Sequence, residues 1–201
     1  MLTVVGVGPA GLQLMTPLAK EAVSRADALV GGARHLAQFP DFSGERCALG
    51  ANIAEVLAWI EARSAQNVVV LASGDPLFYG IGTRLLAHFG RDNVQVIPGV
   101  SAVQYLCARA GVDMNDMWLT SSHGRAVNFD ALATHHKVAM VTDKRCGPKT
   151  IAAELVARGK GHRWMIVGEN LAQDDERIHW LRVSAVVNDY EMNTVVILDE
   201  R

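Results

Sequence analysis

The chain has 201 residues, half of them hydrophobic and a fifth charged, so it can bury a substantial core and is not expected to be disordered. Its formal net charge of -2 gives no general attraction to nucleic acid or to an anionic membrane. The three cysteines form no Cys-x-x-Cys pair, which disfavours a disulfide framework and a zinc site. Because neither a membrane-spanning run nor a signal peptide is predicted, we expect a soluble cytoplasmic protein.

The first half of the chain alternates short apolar runs with helical patterns. Strands are predicted at LTVVGV, ALVG, NVVVLAS and VQVI. Helices are predicted at PLAKEAVSRA, NIAEVLAWIEARS, YGIGTRLLAHFG and SAVQYLCARAG. This alternation is typical of a mostly parallel, doubly wound sheet, which we expect to occupy residues 1–112.

A polar break at residues 113–116 marks the predicted start of a second α/β domain at residues 117–201. Its strands are predicted at KVAMVTD and RWMIVGEN, with the helix GPKTIAAELVARG between them. The last two apolar segments, ERIHWLRVSAVV and NTVVILDE, have no helix between them. An antiparallel element is therefore predicted, and with it a mixed sheet.

The first loop, Gly6-Val-Gly-Pro-Ala-Gly11, has the G-x-G-x-x-G spacing of a dinucleotide-binding loop. Two features disfavour NAD or FAD. Thr16-Pro17 is a good N-cap and first-turn pair, so the helix is predicted to begin at Pro17, after the loop rather than within it. The second predicted strand runs into Gly31-Gly-Ala-Arg34, which offers no carboxylate for a ribose. An oxidoreductase remains as a minority alternative.

Two further glycine-bearing segments follow predicted strands, Ser73-Gly-Asp-Pro76 and Pro98-Gly-Val-Ser-Ala102. Taken alone, Asp75 is explained by an ordinary turn and Ser101 by an N-cap. However, the carboxyl ends of parallel strands meet at one edge of a sheet, where α/β proteins bind ligands. Together the three segments favour one small-molecule pocket, because glycine lets a ligand approach the backbone closely.

Through these three ordered motifs, Val5–Pro9, Ser73–Pro76 and Pro98–Ala102, nearly the whole chain resembles the tetrapyrrole methylases. Ala10 departs from the pattern, because the family usually has a second loop glycine there. The resemblance implies two α/β domains with S-adenosylmethionine in the cleft between them. The residues that it assigns to this cofactor are Pro9, Gly74, Asp75, Ser101 and Ala102 from the first domain and Thr142 and Gly168 from the second.

The second half is similar to the branch of this family that methylates C5 of a cobalt-containing corrin precursor in cobalamin biosynthesis. The motifs are Ser121–Arg125, Val141–Asp143 and Val167–Leu171. The resemblance implies a small corrinoid substrate and a homodimer, without nucleic acid, membrane or protein-bound metal, since cobalt belongs to the substrate. Because the chain stops at Arg201, we expect a separate protein to supply the decarboxylating C15 methylation.

A corrinoid precursor carries many carboxylates, which call for cationic side chains. Arg125 and Lys144 are the candidates, although either is also explained as a solvated surface charge. Glu169 is a candidate for substrate contact or for capping a turn. His123 is the candidate catalytic residue, because it can orient the macrocycle or relay a proton, and a structural role in its loop is the alternative. No catalytic triad is expected, since the ring carbon is itself electron-rich.

Besides an oxidoreductase, the sequence leaves two further alternatives to corrin methylation. In the first, the chain is a member of the family that methylates a different acceptor, such as ribosomal RNA or a modified histidine of a protein. An RNA acceptor would favour a basic face, which this composition does not indicate. A ligand-binding module without catalytic activity would share the glycine-rich loops. It would transfer no methyl group to a corrinoid.

Overall fold

The computed structural model describes residues 1–50 and 52–201 and divides into two units, Met1–Ser101 and Ala102–Arg201. The strands of the first unit are β1 (Leu2–Val7), β2 (Ala28–Gly31), β3 (Glu45–Ala48), β4 (Val68–Ser73) and β5 (Val94–Ile97). Its helices are α1 (Pro17–Ser24), α2 (Ala33–Leu36), α3 (Ile53–Glu61) and α4 (Gly82–Phe89). The strands pair in parallel in the order β3-β2-β4-β1-β5.

Apolar side chains cover both faces of this sheet. On β1, Leu2 and Val4 belong to one buried cluster, which also contains residues of α3 and α4. Val5 and Val7 belong to a second cluster, which includes residues of α1. Successive side chains of a strand point to opposite faces, so a strand buried on both sides is apolar throughout. The predicted doubly wound parallel sheet is confirmed.

Helix α1 begins at Pro17, as its sequence predicts. The side chain of Thr16 accepts a hydrogen bond from the backbone N–H of Ala19 at 3.1 Å, which satisfies one of the first donors of the helix. The preceding loop contains a 3-10 turn at Gly11–Gln13. Gly11 has a φ of 57°, a left-handed conformation that glycine adopts without strain.

The second unit holds a mixed sheet. Its helices are α5 (Ala102–Ala110), α6 (Phe129–Thr134) and α7 (Pro148–Ala157). Its strands are β6 (Trp118–Ser121), β7 (Lys137–Val141), β8 (Trp164–Glu169), β9 (Arg177–Arg182) and β10 (Asn193–Leu198). The order is β6-β7-β10-β8-β9, with β6 parallel to β7 and the other pairs antiparallel. The predicted mixed sheet is thereby confirmed.

The structure adds connections that the pattern did not contain. Strands β9 and β10 both pair antiparallel to β8 and lie on either side of it, so they do not pair with each other. Helix α5 packs against β7 and β10 and belongs to the second unit, whereas the sequence placed it in the first domain. The division by contacts thus lies between residues 101 and 102. The domain boundary at residues 113–116 stays a prediction.

Candidate functional site

The ends of β1, β4 and β5 approach one another through glycines. A Cβ atom on Gly6 would overlap the Cα of Gly99 and the carbonyl oxygen of Gly74. Gly74 has a φ of 62°, and its N–H donates to the carbonyl oxygen of Val7 at 2.8 Å. Only glycine permits this approach of three backbones. The carboxyl edge of the first sheet therefore presents backbone groups of neighbouring strands close together.

Asp75 fixes two of these strand ends with its carboxylate. Its Oδ1 accepts a hydrogen bond from the backbone N–H of Leu77 at 2.8 Å, which closes the turn after β4. Its Oδ2 accepts one from the backbone N–H of Gly99 at 3.2 Å, in the segment after β5. The structure therefore contains the expected turn at Asp75, but Asp75 does not cap the next helix, which begins at Gly82 without a side-chain cap. The same side chain also shapes the edge to which the sequence assigned a ligand.

His35 joins a fourth strand end to this edge, and no sequence motif had singled it out. It lies on α2, directly after β2, and is 6% exposed. Its Nε2 is 3.3 Å from the Oγ of Ser73, the last residue of β4. Burial lowers the pKa of His35, and the positive charge of Arg34 lowers it further. Hydrogen bonds thereby connect the ends of β2, β4, β1 and β5.

In the second unit, Asp143 organises the loops after β6 and β7. Its Oδ2 accepts a hydrogen bond from the backbone N–H of Gly124 at 3.0 Å. Its Oδ1 accepts hydrogen bonds from the backbone N–H groups of Arg145 at 2.9 Å and Cys146 at 3.0 Å. These bonds, that from Gly124 most of all, hold the pKa of Asp143 below its ordinary value. The carboxylate thereby ties the loop that carries His123 to the segment preceding α7.

A cavity of about 800 Å³ opens beside these loops. It brings together three of the predicted site residues, His123, Thr142 and Lys144. Thr142 donates from its hydroxyl to Asn193, whose backbone and side-chain oxygens lie 2.7 and 2.6 Å away. Arg125 is exposed in the same loop as His123 but is not among the lining residues. The full lining is His123, Thr142, Asp143, Lys144, Gly147, Pro148, Thr150 and residues 189–193.

Glu169 lies at the end of β8 with both carboxylate oxygens engaged. Oε1 accepts from the N–H of Glu191 at 2.9 Å, and Oε2 is 3.1 Å from Nε2 of His179. Burial raises the pKa of Glu169, but these hydrogen bonds outweigh it, so the pKa lies below its ordinary value. Since Glu191 lines the cavity, Glu169 holds part of the cavity wall in place.

Gly168 is required by packing. A Cβ atom there would overlap the side chains of Leu106 on α5 and of Leu171. Ser101 is buried and lies immediately before α5, which begins at Ala102, so it occupies the expected position before the helix. Pro9 follows β1 at the edge described above. These residues are set by the backbone as much as by their side chains.

Within residues 1–50 and 52–201, no group of three or more His, Cys, Asp or Glu side chains is arranged to hold a metal ion. The cysteines Cys47, Cys107 and Cys146 are free thiols, and burial raises the pKa of Cys107 to about 11. No helix in this part of the chain combines the length and the hydrophobicity needed to cross a membrane.

Solved structures share this fold over the whole chain. The cobalamin biosynthesis precorrin-6Y methylase of Archaeoglobus fulgidus has a TM-score of 0.78 and 24% identity, and covers 100% of this chain and 99% of its own. The uroporphyrin-III C-methyltransferase of Thermus thermophilus, complexed with S-adenosylhomocysteine, has a TM-score of 0.79 and 22% identity, with coverage of 98% and 97%. At these identities the likeness concerns the fold alone.

Sequence relatives are closer. The cobalt-precorrin-7 C(5)-methyltransferase of Salmonella typhimurium is 73% identical over 201 residues, which is 100% of both chains. The decarboxylating precorrin-6Y C(5,15)-methyltransferase of a Sinorhizobium species is 32% identical over 180 residues, 88% of this chain and 44% of its own. The family model of the tetrapyrrole (corrin/porphyrin) methylases matches residues 1–186. The chain therefore belongs to the tetrapyrrole methylases.

Proposed function

We propose that this chain is a methyltransferase that transfers a methyl group from S-adenosylmethionine to C5 of cobalt-precorrin-7 in cobalamin biosynthesis. The observation that carries this proposal is the 73% identity, over the full length of both chains, to the Salmonella protein of that name. Membership of the tetrapyrrole methylases supports the methyl donor and the reaction class. The proposal thus depends on whole-chain similarity, and the site geometry is its second support.

The carboxyl edge of the first sheet fits a polar donor molecule. We assign Pro9, Gly74, Asp75 and Ser101 to its binding, because their segments follow β1, β4 and β5, which the glycine contacts and the Asp75 hydrogen bonds hold together. Backbone N–H and carbonyl groups next to glycines are accessible to a ligand that approaches closely. When bound, S-adenosylmethionine supplies a methyl group that its sulfonium has already activated. The task of these residues is to hold it in position and exclude water.

In the second unit we assign Ala102, Thr142 and Gly168 to the same donor. Ala102 is the first residue of α5, Thr142 follows β7 and Gly168 lies in β8. The hydroxyl of Thr142 is oriented by Asn193, and the backbone at Gly168 is confined by Leu106 and Leu171. Side-chain substitutions at these positions are therefore expected to act through the backbone they shape.

We assign substrate binding to Lys144, Arg125 and Glu169 and a catalytic contact to His123. Lys144 and His123 line the cavity of the second unit, where a cation suits an acceptor rich in carboxylates. Arg125 adds a second exposed cation in the neighbouring loop. Glu169 acts on the substrate indirectly, because its carboxylate is hydrogen-bonded to His179 and to the backbone of Glu191.

Other acceptors and other cofactors have weaker support. A diphthine synthase shares the fold with a TM-score of 0.76, but at 17% identity it carries no argument about the acceptor. The net charge of -2 does not favour RNA. A dinucleotide is disfavoured because α1 begins at Pro17, so that the helix start lies beyond the glycine loop.

Mass spectrometry of cobalt-precorrin-7 incubated with the protein and S-adenosylmethionine tests the proposal. We expect the acceptor to gain one methyl group, and isotopic labelling of the donor methyl should place the label on C5. A reaction without S-adenosylmethionine is the control. Absence of any methylated product, or methylation at another carbon, would contradict the proposed function.

We also propose that the enzyme acts in the cytoplasm as a homodimer beside a separate decarboxylating methyltransferase. The named relatives support the last point, because the Salmonella protein, matched over its full length, is a C(5)-methyltransferase, whereas the Sinorhizobium protein is a decarboxylating C(5,15)-methyltransferase. One chain has a mass of 21.7 kDa, and sedimentation equilibrium should give twice that mass. A single-chain mass at micromolar concentration would contradict the dimer.

A further inference from the structure

The segment that follows β2 carries a permanent positive charge, on Arg34. The segments that follow the five strands of this sheet are residues 8–16, 32–44, 49–52, 74–81 and 98–101. In sequence they contain one Lys or Arg between them, and it is Arg34. Arg34 is exposed on α2, two residues after Gly32. Among these five segments, the one that follows β2 is therefore the one that carries a guanidinium to offer to a carboxylate.

Helix α2 is fixed from the side of β4. His35, the neighbour of Arg34, is buried and its Nε2 is 3.3 Å from the Oγ of Ser73. Burial and the charge of Arg34 lower the pKa of His35, so the imidazole is neutral at physiological pH. Arg34 is consequently the charged member of this pair, and its backbone is tied to the end of the neighbouring strand.

Helix α2 is also fixed from the side of β3. The guanidinium of Arg46 donates to the backbone carbonyl oxygens of Leu36 at 3.1 Å, Phe39 at 2.6 Å and Phe42 at 2.9 Å. These bonds hold the end of α2 and the loop after it. An arginine on a preorganised segment loses less conformational entropy when it binds a ligand.

The strand order sets how far Arg34 lies from the proposed donor residues. Those residues follow β4, β1 and β5, and β2 is the strand next to β4. Neighbouring strands are about 4.8 Å apart, so the exit of β2 begins about 5 Å from that of β4 and about 10 Å from that of β1. A tetrapyrrole macrocycle with carboxylate substituents extends at least this far from the carbon that is methylated.

We propose that Arg34 binds a carboxylate substituent of the methyl acceptor and thereby determines which acceptor is oriented for methylation. The inference rests on the proposed function and adds a specificity-determining residue to it. The planar guanidinium donates two parallel hydrogen bonds to a carboxylate, which fixes orientation as well as adding affinity. Acceptors in which that carboxylate is esterified lose this interaction.

Steady-state kinetics with cobalt-precorrin-7 and S-adenosylmethionine tests the proposal on the wild-type chain, Arg34→Ala, Arg34→Lys and Arg25→Ala. We expect Arg34→Ala to raise the KM for the acceptor at least about tenfold, as loss of a charge-assisted pair requires. Its kcat and its Kd for S-adenosylhomocysteine, from calorimetry, should match the wild type. Arg34→Lys keeps the charge without the bidentate geometry and should recover part of the loss.

Arg25→Ala is the matched control. Arg25 is exposed after α1, just before β2 and hence at the opposite edge of the same sheet, where it pairs with Glu21 at 2.7 Å. It should leave the KM unchanged. The assignment of Arg34 to the acceptor is wrong, while the proposed function stands, if Arg34→Ala and Arg25→Ala have the same KM for the acceptor. It is also wrong if Arg34→Ala weakens binding of S-adenosylhomocysteine as much as it weakens binding of the acceptor. If the wild-type chain does not methylate cobalt-precorrin-7, the proposed function fails and this inference with it.

Discussion

The carboxylate of Asp75 and the backbone N–H of Gly99 form a hydrogen bond of 3.2 Å that joins the segment after β4 to the segment after β5. Strand β1 lies between those two strands, and its Gly6 contacts both segments. The second oxygen of Asp75 accepts from Leu77. Asp75 therefore has a structural role at this edge even without a ligand, and only the remaining lone pairs of its carboxylate are available to bind a ligand.

Replacement of Asp75 should affect stability and cofactor affinity together. Asp75→Ala removes both acceptors, and we expect the free energy of unfolding to fall by about 1–3 kcal/mol, with weaker binding of S-adenosylhomocysteine. Asp75→Asn keeps one side-chain oxygen and should lose less of both. Urea denaturation and calorimetry measure the two effects. Asp92→Ala, at an exposed aspartate before β5, is the control, and equal stability of the two alanine variants would contradict this role.

Gly6→Ala tests the approach of the three backbones. The new methyl group would overlap backbone atoms of Gly99 and Gly74, which have no rotamer by which to move away. We expect a loss of about 1–3 kcal/mol or more in unfolding free energy. At Gly50 a Cβ atom would meet nothing within 4 Å, so Gly50→Ala should change stability by less than about 0.5 kcal/mol. Denaturation curves that coincide for these two variants would refute the close approach.

Local chemistry in the sequence accounts for much of the first unit. Thr16-Pro17 fixed the start of α1, because capping depends on adjacent residues. Pro9, Asp75 and Ser101 could be predicted to lie at one edge of the sheet, because the carboxyl ends of parallel strands meet at one edge whatever the order of the strands. In contrast, the contact between His35 and Ser73 requires β2 to lie next to β4, and nothing near either residue encodes that neighbourhood.

The elements that the sequence analysis missed share physical causes. Strand β3 (Glu45–Ala48) is largely exposed and has no apolar pattern, and α2 has only four residues, too few for a helical period. In the second unit, Thr142 and Asn193 meet because β7 pairs with β10. Pairing between distant strands is a property of the whole sheet, so a cavity lined by both segments lies beyond local patterns.

His35 should make stability depend on pH in a predictable direction. Burial, and then the charge of Arg34, lowers its pKa in the folded chain below 6.5. As the pH falls below that value, His35 binds a proton in the unfolded chain but not yet in the folded chain. The free energy of unfolding therefore decreases until the pH reaches the pKa of His35 in the folded chain. Above about pH 6.5 this contribution is constant.

His35→Gln removes the titrating group while leaving a polar side chain. We expect the difference in unfolding free energy between wild type and variant to be constant from about pH 8 to about pH 7 and to change at lower pH, by at most about 1.4 kcal/mol per pH unit. Urea denaturation at several pH values measures it. Taking the difference between the two chains cancels the other histidines and the carboxylates. Parallel curves down to pH 5 would show that the folded pKa of His35 is not lowered.

Lys144→Ala should weaken binding of the acceptor. Lys144 is exposed and lines the cavity of the second unit, so loss of its charge is expected to raise the KM for cobalt-precorrin-7 about tenfold and to leave kcat unchanged. Lys20→Ala, at an exposed lysine on α1, is the control. A KM for Lys144→Ala equal to that of Lys20→Ala would remove Lys144 from the substrate site.

The double variant Arg34→Ala, Lys144→Ala then distinguishes two arrangements of the acceptor's carboxylates. If Arg34 and Lys144 bind different carboxylates, their effects on log KM should add, because independent interactions contribute independently to binding free energy. If both bind the same carboxylate, removal of the second cation should cost much less than removal of the first. We expect additivity, since separate sets of hydrogen bonds, those of His35 and those of Asp143, hold the loops that carry Arg34 and Lys144. A double variant no worse than either single one would contradict separate binding and assign both cations to one group.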